Sequence, residues 1–172
     1  MKSNRERLER ETPLKASILI IGYGNPLRSD DGLGLVVAER LSTIPEIAGD
    51  DSIEITKSHQ LMPELAETIA RSALVLFIDA AVAAEGHTPG SMQSSVLESN
   101  SRSSVTLGHH CTPSELISFS AALFGGHPRA LVVSLTAESF DYGDQLTPVV
   151  QEAIPSLIEF IRTQILTFRR GH

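Results

Sequence analysis

Near its N-terminus the chain carries Ser17-Ile-Leu-Ile-Ile-Gly-Tyr-Gly-Asn-Pro-Leu-Arg-Ser-Asp-Asp-Gly-Leu-Gly-Leu-Val-Val-Ala-Glu-Arg-Leu41, and the rest of the sequence is best understood from this segment. An apolar, β-branched run from Ile18 to Ile21 stops at Gly22. Apolar residues at helical spacing resume about one turn after Asp31, so the segment predicts a strand, a loop and a helix. Glycines in the loop permit close approach of backbones, and we expect the chemistry to lie there.

Two adjacent carboxylates, Asp30 and Asp31, close this loop just before the helix. One of them is expected to cap the helix, because an aspartate at that position accepts hydrogen bonds from the first backbone N–H groups. A cap accounts for only one carboxylate. The second is therefore a candidate for binding a cation.

A glycine-rich loop between a strand and a helix is also where dinucleotide-binding proteins hold their ligand, so the loop is compared with their sequence patterns. The Rossmann fingerprint needs a third glycine three residues after Gly24, where the chain has Leu27, and no Gly-Lys-Ser/Thr of a P-loop occurs. Acidic side chains also repel an anionic ligand. Spacing and charge both favour a cation over a nucleotide phosphate.

Length and composition predict one globular domain. The 172 residues are 41% hydrophobic and 20% charged, which suffices for a core and excludes a disordered chain. The net charge of −7 argues against nucleic acid or an anionic membrane as partner. The single cysteine, Cys111, excludes an internal disulfide and suits a reducing compartment.

The N-terminal segment predicts no targeting signal. It is charged and lacks an apolar centre, and no run in the chain approaches the roughly 18 to 20 apolar residues of a membrane span. We expect residues 1–16 to form a mobile arm, residues 17–172 to form a single α/β domain, and the protein to be cytoplasmic.

Further strands and helices follow from periodicity. Strands are predicted at Ile53–Thr56, Leu74–Asp79, Ser91–Leu97 and Ala130–Leu135, and helices at Glu64–Arg71, from Pro113 and from Pro148 to about Phe168. Pro155 lies inside the last helix and predicts a kink or a break there. Asp79 ends a buried strand, and because ligands bind at the carboxyl ends of parallel strands, we expect it at the same sheet edge as Asp31.

A cluster of metal-binding residue types precedes one of these helices. His109, His110 and Cys111 come directly before Thr112, the expected N-cap of the helix. They could contribute to a metal site or form a cysteine–histidine pair, although Cys111 is better explained as a small buried residue under the start of the helix. One histidine with the two strand-end carboxylates would suit zinc, nickel or copper and leave coordination positions open. We expect His59, between a strand and a helix, to be a solvated loop residue.

The residues resemble a known family, the hydrogenase maturation endopeptidases, which process the large subunit of nickel–iron hydrogenases. The resemblance is carried by Gly22-Tyr-Gly-Asn-Pro-Leu-Arg-Ser-Asp-Asp-Gly-Leu-Gly34, Asp79-Ala80, Pro89-Gly90, Gly108-His-His-Cys-Thr-Pro113, and Ser139-Phe-Asp-Tyr-Gly with Leu146-Thr-Pro148. It extends over nearly all of the chain after Ser17. Where some members have a glycine pair after the second strand, this chain has Ser58-His-Gln-Leu-Met-Pro63, as in another branch of the family.

The resemblance implies a fold and an activity. The fold would be a single-domain three-layer α/β/α sandwich with a mostly parallel sheet. The activity would be removal of a C-terminal extension from the precursor of a nickel–iron hydrogenase large subunit, once nickel has been inserted. The metal-contacting and catalytic positions of the family fall on Asp31, Asp79 and His109, with His110 as the alternative for the last. Asp31 stands where the family also carries glutamate, which keeps the charge and shortens the reach.

In this scheme the nickel is carried by the substrate, no organic cofactor is needed, and the three residues recognise only a metal-loaded precursor. Three alternatives stay open. The chain could be a nickel carrier or maturation chaperone without hydrolysis, a metallopeptidase with its own zinc, or an α/β nucleotide-binding enzyme.

Overall fold

The computed structural model describes residues 17–84, 86–97 and 111–171. The expected N-terminal arm at 1–16 lies outside the described residues. So do His109, His110 and the serine-rich segment after residue 97.

A five-stranded sheet forms the centre of the described part of the chain. Its strands are β1 (Ile18–Tyr23), β2 (Ile53–Ser58), β3 (Leu74–Ala81), β4 (Met92–Leu97) and β5 (Arg129–Thr136). Their spatial order is β2-β1-β3-β5-β4. Only the edge strand β4 is antiparallel to its neighbour, so the carboxyl ends of the other four meet at one edge. We call this the carboxyl edge.

The helices cover both faces of the sheet. They are α1 (Leu33–Ser42), α2 (Pro45–Ala48), α3 (Leu65–Ala70), α4 (Pro113–Phe124) and α5 (Pro148–Arg170), with a short 3-10 helix at Ser29–Gly32 before α1. Along β1, Ile18 and Ile20 join the core under α1 and α5, while Leu19 and Ile21 join the core under α3 and α4. A continuous apolar run is what a parallel strand buried on both faces requires. The predicted three-layer α/β/α sandwich with a mostly parallel sheet is confirmed.

The start of α4 is as the sequence predicts. Thr112 is the N-cap, and its hydroxyl accepts a hydrogen bond from the backbone N–H of Glu115 at 3.2 Å. The Glu115 carboxylate accepts in return from the Thr112 backbone N–H at 2.7 Å. This reciprocal capping box fixes where α4 begins.

The predicted break at Pro155 is wrong, since α5 continues through that residue as one helix. The reason lies in tertiary packing. Ile154 and Leu157 are buried on either side of the proline, whereas Pro155 itself faces solvent. Burial of the apolar face holds both halves on the sheet and offsets the hydrogen bond that proline cannot donate.

Among the residues that the structure describes, no helix combines the length and the apolar character needed to cross a bilayer.

Candidate functional site

Glycines bring the first turn of α1 against the ends of the central strands. A Cβ at Gly34 would lie 2.4 Å from the carbonyl oxygens of both Ile78 and Tyr23, and one at Gly22 would lie 2.1 Å from the Gly34 carbonyl oxygen. Only residues without a side chain allow these backbones to approach so closely. The approach places the loop that carries Asp31 next to the end of β3, where Asp79 lies.

Asp31 is held by the loop that precedes it. One oxygen of its carboxylate accepts a hydrogen bond from the backbone N–H of Asn25 at 3.0 Å. The Asn25 side chain in turn accepts from the Leu27 backbone N–H at 2.9 Å. Two short turns thus fix the orientation of this carboxylate while leaving it partly exposed.

Asp79 lies near the end of β3 and is only partly accessible to solvent. Its Oδ1 accepts a hydrogen bond from the backbone N–H of Ala80 at 2.8 Å, and it also accepts one from the Tyr23 hydroxyl. Burial raises the pKa of Asp79 to about 6, and repulsion from Asp31 adds to the rise. The helix that follows Asp31 packs against Ile78, the residue before Asp79, so the two carboxylates lie at the same part of the sheet edge, an arrangement that can receive a cation.

Sequence reasoning assigned no role to Tyr23, yet its hydroxyl donates a hydrogen bond to Asp79 and lies within the electrostatic influence of Asp31. The register of β1 with β3 aligns Gly22 with Ile78, so Tyr23 and Asp79 come next on neighbouring strands. Burial, followed by the effects of Asp79 and Asp31, raises the pKa of Tyr23 and keeps its hydroxyl a hydrogen-bond donor. Only knowledge of the strand pairing would have revealed this contact.

Asp30 does not have the predicted capping role, and neither does Asp31. No side chain caps the 3-10 helix or α1. Asp30 is completely buried, and its carboxylate accepts hydrogen bonds from the backbone N–H groups of Glu138, Ser139 and Thr147 at 2.9, 3.1 and 2.7 Å. The Thr147 hydroxyl also donates to it. A loop distant in sequence, residues 137–147, thus outcompetes the local helix N-terminus for this carboxylate.

The other candidates lie around this centre. His59 is exposed and lines a surface cavity of about 570 Å³ between α1 and β2. Cys111 is half-buried rather than fully buried, and its backbone N–H donates to the Leu61 carbonyl at 3.1 Å. Burial raises the pKa of the Cys111 thiol, which disfavours the thiolate that a nucleophile or a metal ligand requires.

Within residues 17–84, 86–97 and 111–171, no group of three or more histidine, cysteine, aspartate or glutamate side chains is arranged to hold a metal ion. Asp31 and Asp79 could supply two oxygen ligands, so a metal site here would need at least one further ligand from another residue. The family resemblance assigns this role to His109, with His110 as the alternative, and both histidines lie outside the described residues. The place of His109 beside the two carboxylates stays a prediction.

The glycine that supports Asp31 offers a direct test of this geometry. Gly24 has a φ of +135°, and a Cβ there would lie 1.9 Å from the carbonyl oxygen of Asp31. We expect Gly24→Ala to lower the free energy of unfolding by roughly 2–5 kcal/mol, because it combines backbone strain with a steric overlap. Urea denaturation measures the loss. Gly125→Ala is the control, since Gly125 has a φ of +70° with nothing within 4 Å of an added Cβ; equal losses in the two variants would contradict the overlap.

Comparison with known proteins identifies the fold. No family model matches the sequence, and no curated protein gives a significant match. Solved structures do match. The hydrogenase maturating endopeptidase HybD from E. coli superposes with a TM-score of 0.67 at 23% identity, covering 90% of this chain and 93% of that one. The maturation protease HycI from Thermococcus kodakarensis KOD1 gives 0.64 at 24% identity, covering 86% and 90%.

A third match, the hydrogenase 2 maturation peptidase of a Thaumarchaeota archaeon, gives a TM-score of 0.64 at 18% identity and covers 87% of this chain and 97% of that one. The structural neighbours are thus the proteins that the sequence resemblance predicts. The chain has the fold of the hydrogenase maturation endopeptidases over nearly its whole described length.

Proposed function

We propose that this protein is an endopeptidase that removes the C-terminal extension of a nickel–iron hydrogenase large-subunit precursor after nickel insertion. One observation carries the proposal most directly. Two carboxylates, Asp31 and Asp79, lie at the carboxyl edge where the first turn of α1 packs against the end of β3, in a fold shared with proteins named as hydrogenase maturation endopeptidases. Convergent acidic groups of perturbed pKa in a known enzyme fold are typical of a functional site.

The precursor's nickel would be the cation that this pair recognises. Asp31 and Asp79, with His109 as third ligand, would contact the metal while it remains bound to the substrate. An imidazole with two carboxylates suits a divalent ion of intermediate softness. Only a metal-loaded precursor would then be placed for cleavage, so the site would act as a checkpoint as well as a catalyst.

The residues of this chain have separate tasks in such a reaction. Asp79, oriented by Ala80 and Tyr23, would provide one ligand, and Asp31, oriented by the Asn25 N–H, would provide the second from the loop after β1. A divalent metal polarises a carbonyl group and lowers the pKa of a bound water. The repulsion between the carboxylates disappears when a cation lies between them, and this change favours binding of the loaded substrate.

A cytoplasmic location forms part of the same proposal. It is supported by the single cysteine, Cys111, which suits a reducing compartment.

The test is intact-mass analysis of nickel-loaded and nickel-free precursor after incubation with the protein. We expect loss of a C-terminal peptide from the loaded form only. His109→Ala is expected to abolish cleavage, while His59→Ala serves as a histidine control because His59 is an exposed loop residue outside the proposed ligand set. His110→Ala distinguishes the two adjacent candidates. Transfer of metal without any mass change would instead support a nickel carrier.

A further inference from the structure

Large apolar side chains are exposed at the same edge as the two carboxylates. Leu27, Val82 and Tyr142 are 49%, 75% and 88% exposed. Leu27 follows β1, Val82 follows β3 and Tyr142 follows β5, so all three stand on loops at the carboxyl edge. We call these three residues the apolar rim.

The backbone that presents the rim is anchored. The Leu27 carbonyl accepts a hydrogen bond from the Gly143 N–H at 3.0 Å, and the Gly143 carbonyl accepts from Ser29 at 2.9 Å. Near Val82, the Ala81 carbonyl accepts from the Ala137 N–H at 2.9 Å. The Asp30 carboxylate, in the loop after β1, accepts hydrogen bonds from the Glu138 and Thr147 N–H groups of the loop after β5, so it connects the same two loops. The rim is therefore held in place before any partner arrives, which reduces the entropy lost on binding.

The size of the rim indicates the kind of partner. Strands β1, β3 and β5 are consecutive in the sheet, so the rim spans two strand spacings, about 10 Å, even before the loops extend it. That width exceeds what a single ion with its ligands needs. Exposed apolar groups on loops beside a polar site are typical of protein contacts, in which aromatic residues such as Tyr142 contribute strongly.

We propose that the apolar rim docks an apolar patch on the surface of the precursor protein, adjacent to the segment that holds the metal. This inference rests on the proposed function and adds a second element to recognition. The carboxylates detect the metal, and the rim detects the protein that carries it. A free nickel ion or a small nickel complex would engage only the first element.

The chain supplies a matched control for the rim. Leu123 and Phe124 are 66% and 51% exposed at the end of α4. That helix starts near the carboxyl edge and runs back toward the beginning of β5, so its end lies at the opposite edge of the sheet. An exposed leucine and an exposed aromatic residue thus occur both near the site and far from it.

The experiment compares Leu27→Ser/Tyr142→Ser with Leu123→Ser/Phe124→Ser in steady-state processing of nickel-loaded precursor. We expect the rim variant to raise KM about tenfold or more, with kcat within about twofold, because each buried anchor contributes about a tenfold factor. The control variant should match wild type. Tyr142→Phe, which keeps the apolar area, should also behave as wild type.

The failure of this inference and that of the proposed function are distinguishable. If wild type cleaves the precursor and the rim variant has an unchanged KM, the rim is not a docking surface, although the function stands. If wild type does not cleave, the proposed function fails, and direct binding of the same precursor then tests the rim. If wild type and the rim variant bind the precursor equally, or if neither binds it, the inference is overturned. If the rim variant binds at least tenfold more weakly than both wild type and the control variant, the inference is supported.

Discussion

Asp30→Ala is expected to lower the free energy of unfolding by about 3–5 kcal/mol, because it leaves three backbone N–H groups and one hydroxyl without their acceptor in a buried position. Each unsatisfied buried donor costs about 1–3 kcal/mol, and part of this cost is recovered if water enters the space. Urea denaturation at neutral pH measures the change.

The neighbouring Asp31→Ala is the matched control for this experiment. Its carboxylate accepts a single backbone hydrogen bond at an exposed position, so its removal should cost less than about 1 kcal/mol. Thr147→Val should fall between the two, since it removes the hydroxyl donor but keeps the backbone N–H. A loss below about 1 kcal/mol for Asp30→Ala would show that the carboxylate does not tie the loops together.

Asp79→Asn is expected to act in opposite directions on activity and stability. Processing of nickel-loaded precursor should fall by more than about 100-fold, as when one preorganised electrostatic group is removed from an active site. At the same time the protein should become more stable above pH 6. The asparagine oxygen can still accept the hydrogen bond from the Ala80 N–H, and the side chain carries no charge to be desolvated.

The direction of the stability change follows from the pKa of Asp79, which folding raises from 3.8 to about 6. Below pH 4 the carboxyl is protonated in both states, so it does not affect stability. As the pH rises from about 4 to about 6, the Asp79 carboxyl loses its proton in the unfolded chain but keeps it in the folded chain. Wild type therefore loses stability over this range. Above that window Asp79→Asn should exceed wild type by roughly 1–2 kcal/mol, after allowance for partial exposure and solvent screening.

Urea denaturation at pH 4 and at pH 7.5 measures this difference, and intact-mass analysis measures processing. Asp141→Asn removes the same formal charge from an exposed loop position and controls for the net charge of the protein. A stability difference that is the same at both pH values would show that the burial of Asp79 is not its cause.

The sequence was sufficient for the layers and for the edge at which the carboxylates meet. Continuous apolar runs such as Leu74–Ile78 require burial on both faces, and parallel strands so buried end at a common edge. The start of α4 is determined by three nearly adjacent residues, Thr112, Pro113 and Glu115, so the local sequence pattern predicted it correctly. Information of this kind is contained in short segments of the chain.

Other features depend on contacts between distant segments, and the sequence did not reveal them. Asp30 and Asp31 have the same local context, and only the approach of residues 138–147 buries the first and leaves the second at the site. The contact of Tyr23 with Asp79 follows from the pairing of β1 with β3. Pro155 remains helical because Ile154 and Leu157 pack on the sheet, which local propensity does not include.

The position of β3 in the sheet has a consequence for selectivity. This strand pairs with β1 up to Ile78 and with β5 beyond Asp79, which is itself paired with Ser134, so the backbone of Asp79 is held by the β5 ladder and follows directly on the β1 ladder. A carboxylate on a backbone held in this way is a rigid ligand rather than an adjustable one. In the proposed reaction, any adjustment must be made by the precursor, and a misplaced metal would be rejected because the enzyme does not move to meet it.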